Sequence, residues 1–139
     1  MGKWSDLYEK LTSKHEYIKP NPPALHADIY TAEEKIGCKL PKDLADLLLE
    51  MNGDSWFIFS IEQIIEANLS VRQMDFYMPL DCILFFSGNG CGDYFGYPIT
   101  REDGVRSDRV FLWEHESDDR SWKTVSLEET IEKYYNDDI

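Results

Sequence analysis

The stretch ILFFSGNGCGDYFGYPI, residues 83–99, contains the clearest structural signal in the chain. Residues 83–86 form an apolar run typical of a buried strand, and residues 93–99 predict a second strand that carries three aromatic side chains. Between them, Gly88-Asn89-Gly90-Cys91-Gly92 predicts a tight turn, because glycine and asparagine tolerate the positive φ angles of hairpin loops. The sequence therefore predicts a β-hairpin in this region.

Further strands are predicted on both sides of the hairpin. Residues 110–113 and 122–125 follow it, residues 56–59 precede it, and each run is rich in Val, Ile, Phe or Trp. Residues 72–82 carry no pattern that favours either a helix or a strand. Because strands that follow one another through short turns pair antiparallel, we expect a mainly antiparallel sheet and an α+β fold.

Three helices are predicted before the strand region. The first covers residues 3–14, where apolar side chains recur at helical spacing. The second begins after Asn21, a candidate N-cap residue followed by proline, and ends at Gly37. The third begins at Pro41, and Leu40 before it is expected to be buried because leucine is a poor capping residue.

Two more helices are predicted from capping boxes, in which a serine is followed three residues later by Gln or Glu. Ser60 and Gln63 begin one such helix, and Ser126 and Glu129 begin the last helix of the chain. No internal repeat or low-complexity segment interrupts this order. We therefore expect one domain over residues 1–139.

The composition of the chain argues against several classes of protein function. The chain has 27 acidic against 14 basic residues, a net charge of −13, so direct binding to nucleic acid is unfavourable. Its three cysteines are too few for a disulfide framework, and no zinc-ligand spacing occurs. No signal peptide and no apolar run long enough to span a bilayer is recognised. We expect a cytoplasmic protein that binds neither a membrane nor a cofactor.

Catalytic residues are not evident in the sequence. The glycine-rich turn lacks the Gly-Lys-Ser/Thr ending of a P-loop, and it leads into a strand instead of a helix. Cys91 could act as a nucleophile if a histidine came near, although nothing in the sequence arranges such a pair. We predict no catalytic, cofactor-binding or metal-ligating residues. A small enzyme or ligand-binding domain that uses the turn near Cys91 remains an alternative.

Acidic residues are unevenly distributed along the chain. Residues 1–42 carry seven basic and six acidic residues, whereas residues 43–139 carry seven basic and 21 acidic ones. Helical spacing places three of these acids on one face of the third helix. The candidate protein-binding residues are Asp43, Asp46, Glu50, Asp54, Glu114, Glu116, Asp118 and Asp119. They indicate either a docking surface for a basic partner or simply solvated faces.

Several motifs together resemble the SMI1/KNR4 family of the SUKH superfamily. Residues 32–41, AEEKIGCKLP, are similar to the family pattern E-x-x-(L/I)-G-x-x-L-P, and Met51-Asn52-Gly53 is similar to the end of its next helix. The turn at residues 88–94 and the strand VFLWEHE at residues 110–116 also resemble family motifs. The resemblance covers residues 22–136, and residues 1–20 form an N-terminal helical extension.

This resemblance implies an α+β fold with helices packed against a mainly antiparallel sheet of about five or six strands. It also implies that the motif residues are structural: they are Gly37, Leu40, Pro41, Asn52, Gly53, Gly92 and Asp93. Asp93 is expected to bind backbone groups at the hairpin. None of these residues locates a partner-binding surface.

The resemblance further implies a non-enzymatic function. Many bacterial members are immunity proteins that neutralise a toxin, often a nuclease, whereas fungal members regulate cell-wall synthesis and act as interaction hubs. A cognate toxin with a basic substrate-binding face would attract an acidic inhibitor. We therefore expect an immunity protein or antitoxin, and the alternative is an interaction module in cell-wall or other regulation.

Overall fold

In the computed structural model, which describes residues 2–15, 18–100 and 104–139, five helices accompany five strands. The fold is α+β and the strands are antiparallel, as predicted. The elements in chain order are α1 (Lys3–Thr12), α2 (His26–Ile36), α3 (Lys42–Glu50), α4 (Ile61–Arg72), β1 (Ile83–Gly88), β2 (Tyr94–Thr100), β3 (Gly104–Val105), β4 (Val110–Glu114), β5 (Asp119–Thr124) and α5 (Leu127–Tyr135).

The sheet is built on the predicted hairpin of β1 and β2. Gly88 pairs with Tyr94 across the turn, and the strand order is β1-β2-β4-β5, with the short β3 paired to the far end of β2. One face of the sheet packs against the main core, to which α1–α5 all contribute. The other face carries a smaller apolar cluster made of Val71, Leu80, Ile83, Phe85 and Trp113.

Polar groups cover the outer edge of β1. The fully buried amide of Asn68 in α4 accepts from the N–H of Phe85 at 2.8 Å and donates to the carbonyl of the same residue at 2.9 Å. Further along, Gly88 donates to the carbonyl of Phe57 at 3.0 Å. Because an open strand edge invites pairing with another chain, these bonds protect the edge of the sheet.

The predicted strand at residues 56–59 is wrong, since the structure has only an isolated bridge there, between Ile58 and Ser87. The reason is Asp54, whose Oδ1 accepts the N–H groups of Trp56, Phe57 and Ile58 at 2.9–3.0 Å. Because three consecutive N–H groups point to one oxygen, the chain bends here, and these N–H groups are not available for the hydrogen bonds of a regular strand pair. α4 then begins at once, after its predicted Ser60 cap.

The predicted start of α2 is also wrong. The helix begins at His26, five residues after Asn21. The two prolines after Asn21 favour an extended backbone in the residue that precedes each of them. Asn21 instead donates its backbone N–H to the carbonyl of Gly53 and its side-chain amide to the carbonyl of Asn52, both at 2.9 Å. It therefore joins the segment before α2 to the end of α3.

The motif residues make contacts within the fold. Leu40 is buried, as expected, and its N–H donates to the carboxylate of Glu33 at 2.8 Å. Gly37 ends α2 with a positive φ of 88°. Asn52 accepts the N–H of Ile61 at the start of α4, also at 2.8 Å.

α1 contributes directly to the main core, although it lies in the N-terminal extension. Trp4 and Tyr8 are each only 4% exposed, and the helix packs against α3 and α5. None of the described helices is long and apolar enough to cross a lipid bilayer.

Candidate protein-binding surface

The acidic residues of α3 have three different environments. Asp43 is exposed. Asp46 is half-buried and pairs with Lys42 one turn earlier, at 2.6 Å. Glu50 accepts the backbone N–H of Ser5 in α1 at 2.9 Å, so its carboxylate holds the first turn of that helix. A carboxylate at a helix N-terminus is stabilised by the helix dipole, which gives Glu50 a structural role.

Asp54 does not lie on the surface, in contrast to its place among the candidate protein-binding residues. Its side chain is buried, with 5% exposed, and both of its carboxyl oxygens accept hydrogen bonds within the protein. Oδ2 accepts the hydroxyl groups of Tyr8 in α1 and Tyr135 in α5. A carboxyl group enclosed in this way is not available for direct contact with a partner. Asp54 is therefore not a residue of the protein-binding surface.

The hairpin between β4 and β5 carries the second acidic group. Glu116 and Asp119 are exposed, and Glu114 is half-buried at the end of β4. These three residues lie within six positions of the chain, on one connection of the sheet. We call these three residues the acidic rim of the hairpin. Within the predicted set, the exposed acidic side chains are Glu116, Asp119 and Asp43.

Asp118, at the tip of the same hairpin, faces the protein. Its carboxylate accepts from Trp113 Nε1 at 2.8 Å, from the N–H of Met78 at 2.9 Å and from Arg120 at 3.0 Å. Burial by itself raises the pKa of a carboxyl, but here these hydrogen bonds and the Arg120 charge outweigh burial and hold the pKa of Asp118 below its usual value. Asp118 therefore fastens the hairpin to the segment before β1.

Asp93 and His115 form a pair that sequence reasoning did not predict. Oδ1 of Asp93 lies 2.7 Å from His115 Nδ1 and accepts the backbone N–H of the same residue at 3.0 Å. Asp93 thus binds a backbone group of the β4–β5 connection, and not one of the glycine-rich hairpin turn expected from the resemblance. Gly92 packs against the His115 ring, where a Cβ atom would come within 2.9 Å. The two residues are 22 positions apart, so no spacing pattern could reveal the pair.

Cys91 lies near this pair, along one shallow cavity of about 270 Å³ that Asp93 and His115 also line. The Cys91 side chain is exposed, and its backbone N–H donates to the side chain of Asn89 at 2.9 Å. Within the described residues, no group of three or more His, Cys, Asp or Glu side chains is arranged to hold a metal ion. The structure thus brings the Cys91 thiol and the His115 imidazole to the lining of one cavity.

A comparison with protein-family models matches most of the chain. A family model described as "SMI1-KNR4 cell-wall" matches residues 26–131. The match begins at the first residue of α2 and ends within α5, so it includes the five described strands and leaves α1 outside. No curated protein matches the chain.

Proposed function

The chain belongs to the SMI1/KNR4 family of the SUKH superfamily, and from this premise we propose that it is an immunity protein that binds and neutralises a cognate bacterial toxin. Domains of this family are often immunity proteins and are generally non-catalytic. The match over residues 26–131 is the single observation that carries the proposal.

The charge of the chain supports a basic toxin, for example a nuclease. A protein with net charge −13 repels phosphate backbones but attracts the basic face with which a nuclease holds its substrate. Opposite charges speed association and block that face at the same time. The proposed inhibitor acts in the cytoplasm, binds no nucleic acid or membrane itself, and requires no cofactor.

The acidic residues that carry this attraction are Asp43 and Asp46 on α3 and Glu116 and Asp119 on the acidic rim. Glu50, Asp54 and Asp118 are excluded from the test because their side chains hold the fold together. A variant that reverses the charge of Glu50 would disturb the start of α1, so a loss of binding could not be separated from a loss of stability. The structure therefore separates the acids that bind distant parts of the fold from those that are exposed or, like Asp46, pair only with a residue one helical turn away.

The experiment begins with capture of the partner by tagged protein from native cells, followed by mass spectrometry. A single basic protein whose toxicity is relieved by co-expression of this chain would support the proposal. The variants Asp43→Lys/Asp46→Lys and Glu116→Lys/Asp119→Lys should each slow association with that protein about tenfold and flatten its salt dependence.

The matched control is Glu62→Lys/Glu66→Lys, which makes the same change in net charge at two exposed positions of α4. If this variant slows association as much as the other two, net charge alone attracts the partner and the named surface is wrong. Failure of the chain to relieve the toxicity of any bound protein would exclude an immunity function.

A second candidate function is a regulatory interaction module, which the words "cell-wall" in the family description favour. Recovery of several unrelated partners, none of them toxic, would support this alternative over the first.

A further inference from the structure

Three large apolar side chains are exposed on the loop between α4 and β1, which we call the 74–79 loop. Phe76 is 74% exposed, Met78 69% and Met74 40%. Isolated apolar residues are common on protein surfaces, but three within five positions concentrate exposed apolar side chains on one loop, and we call these three residues the patch. Aromatic and methionine side chains are also the types enriched in protein interfaces.

Hydrogen bonds fix the backbone of this loop. Met78 donates its N–H to Asp118 at 2.9 Å, and Arg120 donates to the carbonyls of Met78 and Pro79 at 2.8 and 2.9 Å. The hydroxyl of Tyr77 donates to the carbonyl of His115 at 2.8 Å. Phe76 and Met78 are therefore presented to solvent from an ordered backbone, which lowers the entropy lost on binding a partner.

The inward side of the loop is part of the smaller core. The ring of Tyr77 packs edge-on against Trp113, with 4.9 Å between ring centroids, while its neighbours Phe76 and Met78 remain exposed. The loop thus partly buries Tyr77 but leaves Phe76 and Met78 in contact with solvent. Phe76 and Met78 are exposed because the loop is held in place through Tyr77 and through its hydrogen bonds to the β4–β5 hairpin.

The charge around the patch is acidic. Residues 74–82 and 114–120 contain six acidic residues and one basic residue, Arg120, which is paired with Asp118. Asp75, Glu116 and Asp119 are exposed, and the bond from Met78 to Asp118 joins the patch to the hairpin that carries the acidic rim. An apolar centre with charged surroundings is the usual arrangement of a specific interface.

We propose that the 74–79 loop is the anchor of the partner-binding surface, and that its occupant is a protein with an apolar pocket bordered by lysine and arginine residues. Phe76 and Met78 fill the pocket, and the acidic rim faces the basic border. The inference rests on the proposed function for the partner's identity as a toxin, and it adds the surface by which that partner is bound.

The test is photo-crosslinking in native cells, with p-benzoylphenylalanine as the probe at position 76. Position 30 is the matched control, because Tyr30 on α2 is an aromatic residue with a similar exposed fraction, 66%. We expect an adduct with one basic protein from position 76 and none from position 30. Absence of an adduct at position 76, or equal adducts at both positions, would overturn the inference.

Affinity measurements on the purified partner complete the test. Phe76→Ser/Met78→Ser should weaken binding about 100-fold, as expected for two interface anchors. Leu25→Ser/Tyr30→Ser, at two equally exposed apolar positions, should change it less than about twofold. Equal affinity of the Phe76→Ser/Met78→Ser variant and the wild type would contradict the proposed anchor.

The outcomes separate this inference from the proposed function. An adduct from a probe at position 43, with none at position 76, would leave the immunity function in place and overturn the anchor. An adduct at position 76 with a basic protein that is not toxic, with affinity lost in the Phe76→Ser/Met78→Ser variant, would support the anchor and contradict the immunity function.

Discussion

The hydroxyl of Tyr8 in α1 donates to Oδ2 of Asp54 at 2.9 Å, across 46 positions of the chain. Tyr135 in α5 donates to the same oxygen. Tyr8 and Tyr135 both lie outside residues 26–131, the part of the chain that the family model matches. The first and last helices are thus joined to the centre of the family domain through one buried carboxyl group.

The Asp54 contacts predict a graded loss of stability. Tyr8→Phe removes one hydrogen bond and should lower the free energy of unfolding by about 1–2 kcal/mol. Asp54→Ala leaves several buried donors without an acceptor and should cost about 3–5 kcal/mol. Urea unfolding followed by tryptophan fluorescence measures both values. A loss for Asp54→Ala no greater than that for Tyr8→Phe would mean that the three N–H groups find other acceptors.

Gly53 predicts a backbone effect. Its φ is +74°, and a Cβ atom there would lie 2.6 Å from the backbone of Phe59 and Ser60. Gly53→Ala should therefore cost more than the 1–2 kcal/mol typical of left-handed strain alone, about 3 kcal/mol or more. Gly90→Ala is the control, because Gly90 has a similar φ of +81° and no atom within 4 Å of the added Cβ. Equal costs for the two variants in thermal unfolding would show that contact with the 59–60 backbone is unimportant.

Asp118 predicts an acid-dependent stability. Since its pKa is lower in the folded chain than in the unfolded one, its contribution is complete above about pH 4 and is lost as the pH falls through the folded value. Asp118→Asn should be less stable than the wild type by about 1–3 kcal/mol at neutral pH, and the difference should shrink below about pH 4.

Urea midpoints measured from neutral pH down to about pH 3 give this difference. Asp119→Asn serves as the control for the loss of one negative charge on this hairpin, because the neighbouring Asp119 is exposed, and its midpoint at neutral pH should stay close to that of the wild type. A difference between Asp118→Asn and the wild type that stays constant with pH would contradict the assigned role of the Asp118 carboxylate.

Local patterns predicted most elements of the fold. The glycine-rich turn predicted the hairpin, and the capping serines Ser60 and Ser126 predicted the starts of α4 and α5. These signals act within a few residues of the chain, so tertiary packing does not change them. The strand at residues 56–59 was wrong because one buried carboxyl group, on Asp54, competes for its N–H groups.

The candidate binding surface was harder to predict from the sequence than the elements of the fold. Phe76 and Met78 lie in residues 72–82, where the sequence carries no periodicity, and an apolar residue in such a segment is usually interpreted as core. The sequence did offer one signal for this surface. Residues 72–82 hold several apolar side chains that follow neither helical nor strand spacing. Only the bonds from Met78 and Tyr77 to the β4–β5 hairpin reveal which side chains remain outside.

The sequence by itself determined the fold class, the antiparallel hairpin and the strongly negative charge, because these depend on local spacing and on composition. The tertiary structure alone decided which acidic side chains are free to meet a partner. Glu50, Asp54 and Asp118 are each bound by groups 40 or more positions away in the chain, whereas Asp43, Glu116 and Asp119 remain exposed. Whether a carboxylate faces solvent or a buried donor depends on contacts between distant segments, which no local pattern records.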